Sequence, residues 1–142
     1  MLKEIIIILR KEIVEKHILE NLAEGDKLVG FFSGISSPKF WWYLLIGPLA
    51  HLRTKTYFVA VSNRGVYFNP LILFNKFGAI DFFEFEDIKN VKIAKGFIQR
   101  SFLFQFKNGR KLKIQAPLFG KKGLKIEEDV QKYIENNISV IS

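Results

Sequence analysis

Side chains that commonly perform catalysis are few and scattered in this sequence. The 142-residue chain contains no cysteine, which excludes disulfides, thiolate nucleophiles, thiolate zinc sites and cysteine-ligated iron–sulfur clusters. Its two histidines, His17 and His51, lie far apart, and neither occurs in an HExxH or GxSxG motif. Four carboxylates lie between Asp81 and Asp87, where paired acids can support acid–base chemistry, but the local sequence favours a polar turn before a strand. We therefore predict no catalytic residue, no metal ligand and no cofactor site, and we do not expect an enzyme.

Positive charge is the feature of the sequence that points most directly to a partner. The chain has 22 Lys and Arg against 14 Asp and Glu, a net charge of +8, yet 49% of its residues are hydrophobic. This combination excludes intrinsic disorder, which requires low hydrophobicity together with high charge. Between Ile88 and Ile126 the chain contains eleven cations and no Asp or Glu. Such a segment favours an anionic partner: a membrane surface, an acidic protein or a nucleic acid.

The elements that must position these cations are mainly strands. After Gly25, short apolar runs alternate with turn residues, which is typical of an all-β sandwich or barrel. An amphipathic helix precedes the strands, since from Leu2 to Ala23 a stripe of apolar residues recurs every three or four positions, at Ile6, Leu9, Ile13, Val14, Ile18 and Leu22. A second helix is predicted at about residues 124–138, where apolar residues recur every four positions at Ile126, Val130, Ile134 and Ile138. Seven strands are predicted, at about Asp26–Ile35, Arg53–Ser62, Gly65–Leu71, Phe77–Phe85, Ile88–Lys95, Ser101–Phe106 and Arg110–Ala116.

The register of one hairpin can be predicted from its side chains. A two-residue loop at Asn108-Gly109 would pair Phe104 with Lys113 and put phenylalanines and lysines on the same face, which is unfavourable. A three-residue loop at Lys107-Asn108-Gly109 instead pairs Phe104 with Leu112 and places Gly109 at a left-handed bulge position. We predict the three-residue loop, with the phenylalanines facing the core.

Four stretches of the sequence resemble the bacterial pleckstrin-homology-like (PH-like) domains of YokE or GRAM-like type: Leu22–Lys27, Tyr57–Phe68, Phe85–Val91 and Phe104–Gly109. The first is similar to a Glu-Gly-Glu-Lys motif of that family, and the last is similar to its Asn-Gly hairpin. The turn at Ser62-Asn63-Arg64-Gly65 departs from the family's Thr-Asp-x-Arg order but keeps residues that are typical of turns.

The resemblance implies a seven-stranded PH-like antiparallel barrel or sandwich, made of two orthogonal sheets and capped at one end by the C-terminal helix. It also implies a binding scaffold rather than a catalytic one. We predict that residues 1–24 form an added N-terminal amphipathic helix and that residues 25–142 form the PH-like domain.

Three lysines are predicted to form one exposed patch, if their strands are adjacent as the resemblance implies. Lys111 and Lys113 point away from the phenylalanines, and Lys92 has the outward parity of its own strand. Each such cation contributes about 1 kcal/mol near an anionic leaflet. The alternative is a solvated face that only aids solubility. A single-stranded nucleic acid would need aromatic residues on the same face, and here they lie opposite, which argues against that partner.

A second candidate surface is the aromatic segment Phe40–Leu52. Trp and Tyr favour the membrane interface, and cations at the edges of the segment could contact phosphates, so shallow insertion is one hypothesis. The other, which we favour slightly, is burial against the N-terminal helix or a second subunit, which would give a homo-oligomer. The candidate binding residues in and beside this segment are Lys39, Trp41, Trp42, Tyr43, Arg53 and Lys55.

These patterns together predict a non-catalytic binding module that docks to a protein partner or to an anionic membrane surface. A cytoplasmic location fits the absence of cysteine, with peripheral attachment to the inner face of the membrane as one form of docking. The alternative function is an oligomeric structural protein. An enzyme would require a deep pocket in which Asp81, Glu84 or His51 converge.

Overall fold

A computed structural model of the protein describes residues 2–36, 55–72 and 76–141, with side chains from Lys11 onward apart from that of Ile72. Within these ranges the chain forms two α-helices, nine strands and a 3₁₀ turn at Phe85–Asp87. In chain order the helices and strands are α1 (Leu2–Glu20), β1 (Leu28–Ser36), β2 (Lys55–Ser62), β3 (Gly65–Ile72), β4 (Lys76–Phe77), β5 (Asp81–Glu84), β6 (Ile88–Lys95), β7 (Gln99–Phe106), β8 (Lys111–Pro117), α2 (Glu128–Asn137) and β9 (Val140–Ile141).

The strands form one sheet in the order β4-β3-β2-β1-β8-β7-β6-β9, and β5 pairs with the same edge of β3 as β4. All neighbours are antiparallel except β6 and β9, which are parallel. Strand β1 joins the two halves, because it pairs with β2 along its length and with β8 at Ile35 and Gln115. Among the described residues no pairing connects β4 or β5 to β9, so the sheet does not close into a barrel. The prediction of a mainly-β protein is confirmed. The predicted number of seven strands is wrong, because nine are described, one of which, β9, follows α2.

The strand predicted at Phe77–Phe85 is two short strands, which is a correction to the sequence analysis. Strand β4 ends at Phe77, β5 begins at Asp81, and the Gly78 N–H donates to the Pro70 carbonyl between them at 2.8 Å. In an antiparallel strand the N–H and C=O of one residue point to the same neighbour, so Pro70 also turns its nitrogen toward this edge. Because proline has no N–H to donate, the ladder is interrupted there.

The main core lies between the two halves of the sheet and is rich in phenylalanine. Phe68 packs edge-to-face on Phe104 with ring centroids 5.2 Å apart, and Phe83 stacks on Phe106 at 3.8 Å. Helix α2 covers this core with Val130 and Ile134, while Ile126 and Ile138 are buried beside it. The predicted spacing of four therefore marks the buried residues correctly, although the helix itself begins only at Glu128.

Helix α1 packs on the outer surface of the β1–β3 half. Val14 and Ile18 form a second buried cluster with Phe58, Ala60 and Tyr67. Strand β2 is thus covered on both faces, which explains why its sequence from Phe58 to Val61 is continuously apolar instead of alternating. Ile13, one of the apolar residues of the predicted stripe, is instead exposed.

The predicted three-residue hairpin is confirmed. The Phe106 N–H donates to the Arg110 carbonyl at 2.9 Å, and the Gly109 N–H donates to the Phe106 carbonyl at 3.0 Å. Gly109 has a φ of 89°, the left-handed conformation that favours glycine. Phe104 lies opposite Leu112, as the parity argument requires.

Candidate docking surfaces

The structure brings three of the predicted lysines together on the outer side of β6, β7 and β8. Lys92 and Lys113 both lie opposite Leu103, one on each neighbouring strand. Lys111 lies opposite Gln105 in the next row. All three lysines are exposed, and with strands spaced about 4.8 Å apart the backbones of Lys92 and Lys113 are roughly 10 Å apart. We call Lys92, Lys111 and Lys113 the basic face.

The charge of the basic face has no ionic partner within the described part of the chain. The ion pairs found there are Lys16–Glu20, Arg64–Glu84, Arg110–Asp81 and Lys132–Glu128. None of them includes a lysine of the basic face. The positive potential of this surface is therefore available to an external anion.

The other predicted binding residues do not join the basic face in the described structure. Lys55 begins β2, in the other half of the sheet, and shares the parity of the core residue Val59. Lys39, Trp41, Trp42, Tyr43 and Arg53, with the whole Phe40–Leu52 segment, lie outside the described residues. The hypotheses of membrane insertion and of burial for this segment both stay predictions.

The residues with catalytic potential are engaged in separate contacts. The Glu84 carboxylate accepts a hydrogen bond from the Arg64 guanidinium at 2.7 Å. The Asp81 carboxylate lies 3.5 Å from the Arg110 guanidinium. His17 stacks on Phe77 with ring centroids 3.8 Å apart, and burial lowers the pKa of its imidazole. His51 is outside the described residues. Within the described ranges no three metal-binding side chains come together.

Asp26 is a partly buried carboxylate that the sequence analysis did not single out. Its Oδ2 atom accepts hydrogen bonds from the Ser62 hydroxyl at 2.6 Å and the Tyr67 hydroxyl at 2.8 Å, and Oδ1 accepts from the Lys27 N–H at 2.8 Å. The Ala23 N–H donates in turn to the Tyr67 hydroxyl at 3.0 Å. This network ties the segment after α1 to the β2–β3 turn.

The Asp26 network has a consequence for the ionisation of its carboxyl. Burial alone would raise the pKa of Asp26, but the hydrogen bonds from Ser62, Tyr67 and nearby backbone N–H groups stabilise the carboxylate and lower its pKa. Two of the stretches that carry the PH-like resemblance, Leu22–Lys27 and Tyr57–Phe68, meet in this network. The presence of both stretches in one sequence was the signal that could have indicated this network. The sequence alone does not show that the two stretches are in contact.

A third surface, also missed from the sequence, is an apolar group at one end of the β6–β8 half. Phe97, Ile98 and Phe119 are 97%, 69% and 70% exposed, and we call them the apolar tip. Phe97 and Ile98 occupy a tight turn in which the Gly96 N–H donates to the Gln99 carbonyl at 3.0 Å. The signal in the sequence was two large apolar residues at the centre of a turn, where polar residues are usual.

The loop that carries Phe119 is fixed to the rest of the domain at both ends. The Leu118 N–H donates to the Ile98 carbonyl at 3.0 Å, and the Ile126 N–H donates to the Pro117 carbonyl at 2.9 Å. The N–H and the hydroxyl of Ser33 both donate to the Leu124 carbonyl at 2.8 Å. Two exposed lysines, Lys121 and Lys122, lie in the middle of this loop.

Comparison with known proteins gives a likeness of fold. No family model matches the chain, and the search of curated proteins found no match. The structure is similar to the hSac2 domain from human phosphoinositide phosphatase Sac2, with a TM-score of 0.53 and 13% sequence identity over 90% of this chain and 78% of that one. Neither described helix is long and apolar enough to cross a membrane. This chain therefore shares its mainly-β architecture with the hSac2 domain.

Proposed function

We propose that the protein is a non-catalytic docking module with a PH-like fold, and that its basic face binds an anionic membrane surface. The observation that carries the proposal is the grouping of Lys92, Lys111 and Lys113 on one exposed side of the sheet, without a described carboxylate partner.

The arrangement of the elements supports the PH-like part of the proposal. Strands β1–β5 form one half of the sheet, β6–β8 form the other, and α2 packs across the core between them. The motifs that resemble PH-like domains lie at structural junctions: the Asp26 network, the β2–β3 turn and the β7–β8 hairpin.

The chemistry of the basic face supports a membrane as the anionic partner. Lysine is a compact, strongly hydrated charge on a flexible stem, which suits mobile lipid headgroups better than the bidentate recognition of one fixed carboxylate. Three lysines at about 1 kcal/mol each give roughly a hundredfold gain in binding to an anionic over a neutral leaflet. An acidic protein would meet the same charges, and the test below separates the two partners.

The test is co-sedimentation of the protein with vesicles of phosphatidylcholine, with and without about 30 mol % phosphatidylserine, in about 0.1 M and about 0.5 M NaCl. We expect binding only to the anionic vesicles and weaker binding at the higher salt. The triple variant Lys92→Glu, Lys111→Glu, Lys113→Glu should lose this binding. A matched control, Lys16→Glu, Lys27→Glu, Lys76→Glu, changes the net charge equally at exposed lysines elsewhere and should retain most of it.

Absence of sedimentation with anionic vesicles under all of these conditions would contradict the membrane proposal and leave an acidic protein as the remaining partner for the basic face. Equal losses in the two triple variants would show that net charge, and not the basic face, determines binding.

A further inference from the structure

We infer that the apolar tip inserts into the interfacial layer of an anionic bilayer while the lysines beside it contact lipid phosphates. The inference deepens the proposed function and rests on it for the nature of the partner. It concerns a different set of residues, at the end of the β6–β8 half instead of on its outer side.

The tip has the exposure and shape of an inserting element. Phe97 is 97% exposed, so almost none of its ring is covered by the described part of the chain. Phe97 and Ile98 project from the end of two paired strands, and Phe119 joins them from the neighbouring loop. A small apolar tip of this exposure can enter a lipid interface, because the interface deforms around it. Amphipathic anchors of this kind lie at the boundary between headgroups and acyl chains.

The charges around the tip match an anionic leaflet. Lys95 immediately precedes the turn and Lys121 lies two residues after Phe119, and both are exposed. Lys122 is also exposed but lines a separate hollow with Glu15, Glu127 and Asp129. Lys95 also lines a hollow with two carboxylates of α2, Glu128 and Glu135, and Glu128 is paired there with Lys132 at 3.3 Å. Apolar residues bordered by cations can combine burial in the interface with attraction to phosphates.

A shallow groove beside the turn provides further polar contacts for a headgroup. It has a volume of about 270 Å³ and is lined by Lys95, Gln99, Ser101 and Gln115 together with the turn residues. No carboxylate lines it. The ammonium, amide and hydroxyl groups of these side chains can donate hydrogen bonds to a phosphate oxygen.

The basic face and the apolar tip can act on one membrane together. Both belong to β6–β8 and the adjoining loops, and Lys92 lies four residues before Gly96, where the turn begins. At about 3.3 Å per residue this separation is roughly 13 Å. A domain that inclines its outer side toward the membrane would bring the basic face to the headgroups while the tip enters the interface.

Helix α1 offers a matched control, because it also exposes large apolar side chains. Ile13 and Leu19 are 59% and 52% exposed, but the surface around Leu19 carries one lysine, Lys16, against three carboxylates, Glu12, Glu15 and Glu20. An anionic leaflet would repel this surface. The two surfaces therefore separate apolar exposure alone from apolar exposure bordered by cations.

The experiment uses the absence of native cysteine in the full chain. Phe97→Cys and Leu19→Cys are each labelled with the fluorophore NBD, whose emission shifts to the blue and brightens in lipid, and are mixed with the anionic and neutral vesicles described above. We expect this change for the label at residue 97 on anionic vesicles, and none for the label at residue 19. In co-sedimentation, Phe97→Ser combined with Phe119→Ser should lower partitioning about tenfold or more, whereas Leu19→Ser should leave it unchanged.

The outcomes distinguish the inference from the proposed function. If the unlabelled protein sediments with anionic vesicles but the label at residue 97 shows no change, the tip inference is overturned and the proposed function stands. If the unlabelled protein does not sediment, both fail. An equal signal at residue 97 on neutral vesicles would overturn the role of the lysines. A lower melting temperature of the double serine variant would not affect the label experiment, which keeps Phe119 intact.

Discussion

The two outer faces of the sheet differ in what covers them. The β1–β3 face carries Phe58, Ala60 and Tyr67 and is covered by α1, whereas the β6–β8 face carries Lys92, Leu103 and Lys113 and is bare of any described element. Strand β2 is apolar on both of its sides, whereas in β7 and β8 apolar and polar residues alternate. Strand β2 is therefore buried on both faces, whereas β6–β8 leave one face exposed to solvent, and the proposed docking surface lies on that exposed face.

The largest expected effect comes from placing a lysine on each of these faces. Ala60→Lys puts a charge into the buried apolar cluster beneath α1 and should destabilise the fold by about 3–5 kcal/mol. Ser101→Lys places the same side chain in the middle of β7 on the bare face and should change stability by less than about 1 kcal/mol. Urea unfolding monitored by circular dichroism compares the two. Similar losses in both variants would contradict the distinction between the faces.

A smaller effect is expected from a cavity beneath α1. Ile18→Ala removes a side chain that is 2% exposed and should lower the free energy of unfolding by roughly 2–5 kcal/mol. Ile13→Ala makes the same change on the exposed side of the helix and should cost less than about 0.5 kcal/mol. Equal midpoints for these two variants in urea would indicate that α1 does not cover the sheet in solution.

The smallest of the three effects is expected at the junction of α1 and the β2–β3 turn. Asp26→Asn removes the carboxylate that accepts from Ser62 and Tyr67 and should cost about 1–3 kcal/mol at neutral pH. Because the pKa of Asp26 is lowered in the folded state, its contribution is complete above the unfolded pKa and is lost as the pH falls through the folded pKa. The difference in unfolding free energy between wild type and variant, measured from pH 7 down to pH 3, should therefore shrink at the acid end. A constant difference would mean that the charge of Asp26 is not what the network requires.

The sequence predicted features that depend on the alternation of neighbouring residues. The β7–β8 register followed from the fact that phenylalanines and lysines cannot share a buried face, and the core side of α2 followed from the spacing of Ile126, Val130 and Ile134. Both are local patterns, and each is compatible with only one way of burying its apolar side chains.

Features that depend on distant contacts were not predictable in the same way. The interruption between β4 and β5 is caused by Pro70 on the neighbouring strand, and the partners of Asp26 lie 36 and 41 residues away. Phe97 and Ile98 were not predicted to form a surface, because two adjacent apolar residues are too few to show the helical or strand periodicity from which exposure is inferred. Each lysine of the basic face was predicted from the sequence. The apolar tip could be identified only from the three-dimensional structure.

The hydrogen bonds that hold the 118–126 loop have a consequence for the speed and entropy of association. With Leu118 fixed to Ile98, and Leu124 fixed to Ser33, the backbone that presents Phe119 is already ordered before any partner arrives. Binding then restricts only side-chain rotamers, at about 0.5–1.5 kcal/mol for each long side chain, instead of ordering a loop. The proposed encounter with a membrane would then be limited by diffusion and orientation and not by a folding step.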